Sequence, residues 1–419
     1  MMKQINRIIP AALTALLVFA GCEQPTDGKF EGRLNNMASP VVEAAILISR
    51  NSVKIDWKPV TGAANYTVSR SSASDGTYTP VGKNIATTTY TDTGLSASTT
   101  YYYRVSAFSS DGASSLESSA ASATTYASGL LGYLAYIQAS AVNNSAYTIE
   151  LEADETIAPT TLSYSGKTVS ITLKGKDAAR TLTLQSSGSL FTIGSGVKLI
   201  LDHNVTLKGI SGNTAALLRV NTGGTLEMNA GAKISGNTTS TSSSTVGGGV
   251  YVSGTFIMNG GEISGNTATS SSSYICGGGV YVSGGTFTMS GGEISGNTAT
   301  SSSSYICGGG GVYVSGGTFT MSGGEISGNT ASASSSSSYA SGGGVYVSSS
   351  GKFSKTNAGG TIYGSNAADT MLKNSVLLNG YSVSNGHAVY AGTNKVCNNT
   401  VGADTALDSM ISGANGGWK

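Results

Sequence analysis

The chain is poor in the residues on which most enzyme sites depend. Only 11% of its 419 residues are Asp, Glu, Lys or Arg, and it has 2 histidines. Proton transfer and metal binding require several such groups converging on one place. From Gly247 to Gly351 the only charged residues are Glu262, Glu293 and Glu325. The composition therefore favours a non-enzymatic protein with no catalytic residues, no metal site and no cofactor.

A strongly basic character is lacking as well. The formal net charge is +1, with 23 Lys and Arg against 22 Asp and Glu. Proteins that bind nucleic acid carry a cluster of positive charge that neutralises phosphates. The sequence therefore predicts no nucleic-acid partner.

Glycine and serine are abundant, but they do not form a simple polymer-like repeat. The 59 glycines do not recur at every third position, as collagen would require. Between the serine runs, apolar residues alternate regularly, which is typical of strands rather than of disordered segments. The chain is therefore predicted to fold, and its length allows two or three domains.

Residues 1–22 have the pattern of an export signal. Lys3 and Arg7 precede an apolar run, 8–20, that is too short for a stable membrane-spanning helix. The ending Phe19-Ala20-Gly21-Cys22 resembles a bacterial lipobox, whose cysteine becomes the lipidated N-terminus. The resemblance implies lipid at Cys22, membrane anchoring, and a place in the cell envelope, at the outer membrane or the cell surface. An ordinary signal peptide with an incidental cysteine is the alternative.

Residues 23–38 are polar and without periodicity, and they are predicted to form a flexible tether. Residues 39–125 contain short alternating strands separated by turns, which predicts an antiparallel sandwich. Trp57, Leu95 and the run Tyr103-Arg104-Val105 resemble the core tryptophan and the corner of a fibronectin type III domain. The resemblance implies a spacer or adhesion module, although an alanine at 97 stands where proline is common. No Arg-Gly-Asp is present, so integrin binding has no support.

A short helix is predicted within residues 129–143, where Leu130, Leu134, Ile137 and Ala141 share one face. It stands directly before the β-rich part of the chain. Because stacked strands leave an open end, we expect this helix to cap the first coil.

The tripeptide Val-Tyr-Val recurs at residues 250–252, 280–282, 312–314 and 345–347, and residues 260–290 recur at 291–322 with one glycine added. Each copy supplies three short strands with glycines at the bends, which predicts one coil of a parallel β-helix. A propeller blade, the alternative, needs four antiparallel strands. The repeats resemble the right-handed, pectin-lyase-like β-helix of polymorphic outer-membrane proteins over residues 147–418, and the resemblance implies the handedness. The expected fold is therefore all-β, with a parallel β-helix and its caps over 129–419.

Tandem arrays of this kind usually build a surface. We therefore expect the β-helix to serve adhesion or the binding of glycans or of host and cell-surface proteins. A polysaccharide lyase or hydrolase is the alternative, since the pectin-lyase-like fold hosts both. A purely structural envelope protein is a third hypothesis. The scarcity of ionisable residues argues against the enzyme.

Two sets of residues recur at matching positions. The tyrosines alternate with core valines, so they are candidates for an exposed stripe that stacks on sugar rings, with a purely structural stack as the alternative: Tyr251, Tyr281, Tyr313 and Tyr346. The asparagines of the Ile-Ser-Gly-Asn motif are expected to form a hydrogen-bonded ladder along the axis: Asn213, Asn237, Asn266, Asn297 and Asn329.

The ionisable groups of the β-helix are expected to lie at the surface. The three glutamates recur in register and are expected to face water, with a calcium-like ion between them as the alternative. His203 stands beside Asp202, and His387 is distant in sequence. These histidines are expected to be polar surface residues rather than parts of an acid–base site.

Cys276 and Cys307 occupy equivalent places in adjacent repeats, where the Cα atoms come within the range of a disulfide. An exported protein can be oxidised, but straight stacking leaves the Cβ atoms slightly far apart, so a disulfide and two free thiols both stay open. Cys397 has no counterpart in the repeat. Intact mass before and after reduction distinguishes the two states, because a disulfide takes up two hydrogens.

Overall fold

The computed structural model describes residues 37–49, 51–241, 246–270, 276–301, 307–333, 340–355, 360–363, 374–378, 381–382, 389–391, 396–398, 404–405 and 417–418. The signal segment with Cys22, most of the tether, and His387 lie outside these residues. Among the described residues, no helix has the length and the apolar character needed to cross a membrane.

The first domain is an antiparallel sandwich of two sheets. One sheet contains Val42–Ser49, Ser52–Trp57 and Thr89–Asp92, and the other contains Asn65–Ser71, Thr79–Ile85, Thr100–Phe108 and Ala121–Thr124. Alternation in these strands turns Val53, Ile55 and Trp57 into the buried space between the sheets. Trp57 packs edge-on against Tyr66, with ring centroids 5.3 Å apart. The predicted sandwich is confirmed.

The second domain is a parallel β-solenoid in which each strand pairs with the equivalent strand of the next coil. Its three long sheets are termed face 1, face 2 and face 3 in the order in which the chain meets them. Face 1 contains Ser145–Leu151, Val169–Gly175, Val197–Leu201, Thr225–Met228, Thr255–Met258, Thr286–Met289, Thr318–Met321, Lys352–Lys355, Val396–Asn398 and the antiparallel Asp404–Thr405. Face 2 contains Glu155–Ile157, Arg180–Leu184, Val205–Lys208, Lys233–Ser235, Glu262–Ser264, Glu293–Ser295, Glu325–Ser327, Thr361–Tyr363 and the antiparallel Gly417–Trp418. Face 3 contains Thr160–Leu162, Phe191–Ile193, Leu218–Val220, Val250–Val252, Val280–Val282, Val312–Val314, Val345–Val347 and Val389–Ala391.

The predicted coil of three parallel strands is confirmed, whereas its handedness and its likeness to pectin-lyase-like proteins stay predictions. The register is the same from coil to coil, so inward side chains form columns along the axis. Phe256, Phe287 and Phe319 are fully buried and stack with centroids 4.5 to 4.6 Å apart. Face 2 contributes buried isoleucines and face 3 buried valines to the same core. Close packing of identical neighbours repeats the same dispersion contacts in every coil.

The structure contains more strands per repeat than the sequence analysis predicts. Between faces 2 and 3 the chain adds a fourth sheet, termed the corner sheet, of Thr238–Thr241, Thr267–Ser270, Thr298–Ser301, Thr330–Ala333, Ser375–Leu378 and Tyr381–Ser382. Two short pairs return the chain towards face 3: Val246–Gly247 with Cys276–Gly277, and Cys307–Gly308 with Ala340–Ser341. The serine-rich segments that these strands enclose, such as residues 267–277, are termed the insertions. Each therefore begins and ends in a paired strand. The alternation of Thr267-Ala268-Thr269 is the sequence signal for this additional strand.

The helix Gly129–Ser140 closes the N-terminal end of the solenoid, as predicted. Leu130, Leu134 and Ile137 are buried against the first coils. The N-cap residue Ser128 makes no side-chain cap; instead, both carboxylate oxygens of Glu155 accept the Leu130 N–H, at 2.9 and 3.0 Å. A negative group here also complements the helix dipole. The helix is thus tied to the solenoid through its apolar face and its first turn.

One inward column of face 1 changes from apolar to cationic near the C-terminal end. The column runs through Leu201, Met228, Met258, Met289, Met321 and Lys355. Lys355 is only 2% exposed. Burial lowers the pKa of its ammonium group from the ordinary 10.5, because the charged form loses hydration.

We expect Lys355→Met, which continues the methionine column, to raise the melting temperature of the solenoid near neutral pH. Because the pKa of Lys355 is lowered in the folded state, the contribution of this residue to stability is most favourable above the unfolded pKa of 10.5 and is lost as the pH falls through the folded pKa. The advantage of the variant should therefore shrink as the pH rises towards 10.5. Thermal unfolding followed by circular dichroism measures both effects. An unchanged or lower melting temperature near neutral pH would contradict the prediction.

Candidate functional site

The tyrosines of face 3 form a continuous column. Tyr251, Tyr281, Tyr313 and Tyr346 are in register, and Tyr390 extends the column by one coil. Their ring centroids are 4.8 to 5.3 Å apart, with interplanar angles of 12 to 17°. However, Tyr281, Tyr313 and Tyr346 are only 1%, 4% and 8% exposed. The expectation of an exposed stripe is therefore wrong for these three residues, whose rings stack on one another.

The insertions bury the column because their returning strands lie on the rings. A Cβ atom at Gly308 would stand 2.4 Å from Cδ2 of Tyr346, so only glycine leaves room for that ring. The pKa of Tyr346 is raised, mainly because the side chain is buried and to a smaller extent because of the charge of the neighbouring Tyr390. At the N-terminal end, the guanidinium carbon of Arg219 lies 4.4 Å from the Tyr251 ring centroid. Strand periodicity identified the outward side of face 3 but did not show that another segment folds over it.

The structure brings the asparagines of the Ile-Ser-Gly-Asn motif together as a fully buried column. The Oδ1 atom of Asn297 accepts both the backbone N–H and the side-chain N–H of Asn266, at 3.0 and 3.1 Å. Asn297 donates in the same way to Asn329, and its Nδ2 also donates to the carbonyl of Ile263 at 2.8 Å. At the N-terminal end, Asn213 donates to Asn237 at 2.9 Å. Each amide is thus hydrogen-bonded along the axis and to the backbone. The column lies at the end of face 2, where each insertion begins.

Asn374 extends this asparagine ladder and was missed by the sequence analysis. Its Oδ1 accepts both the backbone and the side-chain N–H of Asn329, each at 2.9 Å. The Ile-Ser-Gly motif does not precede it, and it stands 45 residues after Asn329. The available signal was an asparagine directly before a strand, Ser375–Leu378, as in the earlier copies.

Glu262, Glu293 and Glu325 lie side by side on the outer side of face 2. Lys233 of the preceding coil is 2.8 Å from Glu262. Burial acts to raise the pKa of Glu262, but hydrogen bonds from Lys233 and Ser264 and the charge of Lys233 outweigh it, so the pKa is lowered. Within the described residues, no group of three or more His, Cys, Asp or Glu is placed to hold a metal ion. The calcium alternative therefore has no support from the described geometry.

The other ionisable and sulfur-containing candidates are dispersed. His203 Nδ1 is 3.3 Å from Asp202 Oδ2, and both side chains are partly exposed at the end of a face 1 strand. Cys276 and Cys307 pair through their backbones with Val246 and Ala340, respectively. The side chains of both cysteines lie outside the described part of the chain. The disulfide between them therefore stays a prediction.

The outer side of face 1 carries a hydroxyl-rich surface that the sequence analysis did not single out. Thr286 and Thr288 align with Thr318 and Thr320 of the next coil, and these four residues are termed the threonine platform. Thr286 is exposed and the other three are partly exposed. Strand geometry separates the two threonines of one coil by about 7 Å and those of adjacent coils by about 4.8 Å.

The threonine platform lies between charged groups along face 1. On the N-terminal side, Lys198 and Glu227 form an ion pair at 2.7 Å; on the C-terminal side, Lys352 aligns with Thr318. The insertions leave the coil between faces 2 and 3, so the described insertion strands do not belong to face 1. The platform is thus an uncharged patch on an open face, with its spacing fixed by the register of the strands beneath it.

Residues 41–124 match the family Fibronectin type III domain, so the sandwich is a domain of this type. Among solved structures, a Fn3-like protein from Clostridium thermocellum is 42% identical; the match covers 20% of this chain and 88% of that chain, with a TM-score of 0.19. A beta-1,2-glucanase from Parabacteroides distasonis is 28% identical over 25% of this chain and 15% of that chain, with a TM-score of 0.22. The FN5 domain of Drosophila Lar is 24% identical over 22% of this chain and 97% of that domain, with a TM-score of 0.19. No curated protein matches the chain.

We expect Asn297→Ala to destabilise the solenoid strongly. The change removes the acceptor of two Asn266 N–H groups and the donor to the Ile263 carbonyl, all of them buried. Each buried group left without a partner costs about 1–3 kcal/mol, so the free energy of unfolding should fall by about 2–5 kcal/mol. Urea unfolding measures the loss.

Asn259→Ala is the matched control for this change. Asn259 is an exposed asparagine of the same array; its Nδ2 donates to Asn229 Oδ1 at 3.3 Å and its Oδ1 accepts from the Ser290 hydroxyl at 3.1 Å, both at the surface. Its loss should change the free energy of unfolding by less than about 0.5 kcal/mol. Equal effects of the two substitutions would contradict a stabilising role of the buried ladder.

Proposed function

We propose that the protein is a non-enzymatic component of a bacterial cell envelope, anchored through lipid at Cys22, whose solenoid binds neutral glycans. The fibronectin type III domain acts as the spacer between anchor and solenoid. The threonine platform is the observation that carries this proposal. It is an open, uncharged surface whose hydroxyl groups repeat with the period of the coil, whereas the tyrosine column is largely covered.

The chemistry of threonine suits a sugar ligand. Each hydroxyl both donates and accepts a hydrogen bond, and the adjacent methyl group offers apolar contact. Sugars present the same combination of hydroxyl groups and C–H surface. The buried phenylalanine column beneath the platform, including Phe287 and Phe319, keeps the strands in register and therefore holds the hydroxyl groups in fixed places.

The spacing favours a chain of sugars over a single sugar. Adjacent coils advance by about 4.8 Å, close to the length of one pyranose residue in an extended glycan. A neutral hydrogen bond contributes only about 0.5–1.5 kcal/mol in water. Useful affinity therefore requires the same contacts to repeat along one polymer, which the matching coils provide.

The arrangement of charges supports binding rather than turnover. Lysines of the early coils pair with glutamates across neighbouring strands, as in Lys174 with Glu150 at 3.0 Å and Lys233 with Glu262 at 2.8 Å. Glycoside hydrolysis requires two carboxyl groups facing each other across the scissile bond. A polysaccharide lyase or hydrolase is the rival function, and it would release soluble sugars from a glycan.

We expect the combined substitution Thr286→Val, Thr288→Val, Thr318→Val and Thr320→Val to weaken binding of neutral glycan polymers on a glycan array. Valine keeps the shape and strand preference of threonine but removes the hydroxyl group. The apparent affinity should fall about tenfold or more, because several repeated hydrogen bonds are lost together. The melting temperature should stay close to that of the wild type.

Thr183→Val with Thr206→Val is the matched control, because these partly exposed threonines lie on the outer side of face 2. This variant should bind glycans as the wild type does. Retained binding by the platform variant would contradict the assignment of the site, and a wild type that binds no neutral glycan would contradict the ligand class. Release of soluble sugars from any glycan in a parallel degradation assay would overturn the non-enzymatic function.

A further inference from the structure

We propose that the fibronectin type III domain and the solenoid are held as one body, so that the domain is a rigid stalk rather than a flexibly attached module. The two domains are joined by residues 125–128, between the last strand of the sandwich and the helix. Their rigid connection does not depend on the ligand of the threonine platform.

The sandwich holds the connection beyond the end of its last strand. Thr125 is buried; its Oγ1 accepts the Thr99 N–H at 2.9 Å and donates to the Ser96 carbonyl at 2.6 Å. The Ser98 N–H then donates to the carbonyl of Tyr126 at 3.0 Å. The backbone is therefore fixed to the sandwich as far as Tyr126.

The helix holds the connection from its other side. The Ala127 carbonyl lies so close to the first helical turn that a Cβ atom at Gly132 would be only 1.8 Å from its oxygen. Gly129 has a φ of +80°, which glycine adopts without strain, and the next N–H is bonded to Glu155. Because the sandwich holds the backbone as far as Tyr126 and the helix begins at Gly129, only Ala127 and Ser128 separate the two, which is too short for a flexible linker.

Three aromatic rings link the two domains across this connection. The Tyr126 ring meets Tyr136 of the helix edge-on, with centroids 5.6 Å apart. Tyr136 in turn meets Tyr147 of the first face 1 strand edge-on at 6.3 Å. Small interfaces between domains ordinarily permit relative motion. Here the connection is short and is held at both ends. A change of domain orientation therefore has to break the ring contacts of Tyr136.

The consequence is a set orientation of the solenoid relative to the sandwich. A rigid connection turns the same face of the solenoid towards the sandwich in every molecule, whereas a flexible one would let the solenoid rotate against it.

The width of the distance distribution between two spin labels in the full chain tests this inference. Labels are attached through genetically encoded ketone amino acids in place of Leu116 in the sandwich and Lys208 in the solenoid, which are both exposed and leave the native cysteines unmodified. Double electron–electron resonance should give one narrow distance peak. A flexible Gly-Ser segment of about six residues inserted between Tyr126 and Ala127 defines the broad limit.

Tyr136→Ala should broaden the distribution towards that limit, whereas Tyr78→Ala should leave it narrow, because Tyr78 directly precedes Thr79–Ile85, the strand at the opposite edge of its sheet from Ala121–Thr124. Circular dichroism establishes that each variant is folded; if Tyr136→Ala is not, Tyr126→Ala gives the same readout and leaves the helix intact. A wild-type distribution as broad as that of the insertion variant would overturn the rigid stalk. A folded Tyr136→Ala protein with the wild-type width would overturn the role assigned to the rings.

Discussion

Each coil of the solenoid must place its side chains directly over those of the coil before it. A residue in such a column has to pack against its own kind above and below. Phenylalanine rings satisfy this by stacking in parallel, as between Phe287 and Phe319. Asparagine satisfies it at a polar position because its amide donates and accepts along the axis while also bonding the backbone. The same requirement fixes the glycines that leave room for the tyrosine rings, so the composition of the repeat follows largely from the register.

Periodicity in the sequence was sufficient for those features that depend on one strand or helix at a time. It placed the sandwich, the helix Gly129–Ser140 and the three strands of each coil, and it put Asn266 and Asn297 at equivalent positions. It failed where two distant segments meet. Alternation showed that Tyr313 points away from the core, but the covering strand comes from the insertion, whose fold depends on pairing with other coils. The threonine platform gave no separate signal, because threonine is an ordinary residue on the outer side of any strand.

The strand edges at the two ends of the solenoid are protected in different ways. At the N-terminal end, the helix covers the first coil with apolar side chains and receives a carboxylate from Glu155 at its first turn. Towards the C-terminal end, Asp404–Thr405 and Gly417–Trp418 pair in the antiparallel sense with faces 1 and 2. A reversed strand does not continue the parallel pattern for a further coil. The ends are therefore specialised, whereas the repeats 260–290 and 291–322 between them are nearly identical.

The near identity of residues 260–290 and 291–322 allows the number of coils to change by recombination within the gene. Two coils that share their inward columns, their asparagine and their glycine bends present the same upper and lower surfaces. Unequal recombination between the two DNA copies removes or adds one whole coil and joins surfaces that already match. The length of the solenoid can therefore vary among descendants of one gene without any change to the stalk, the cap or the packing of the core.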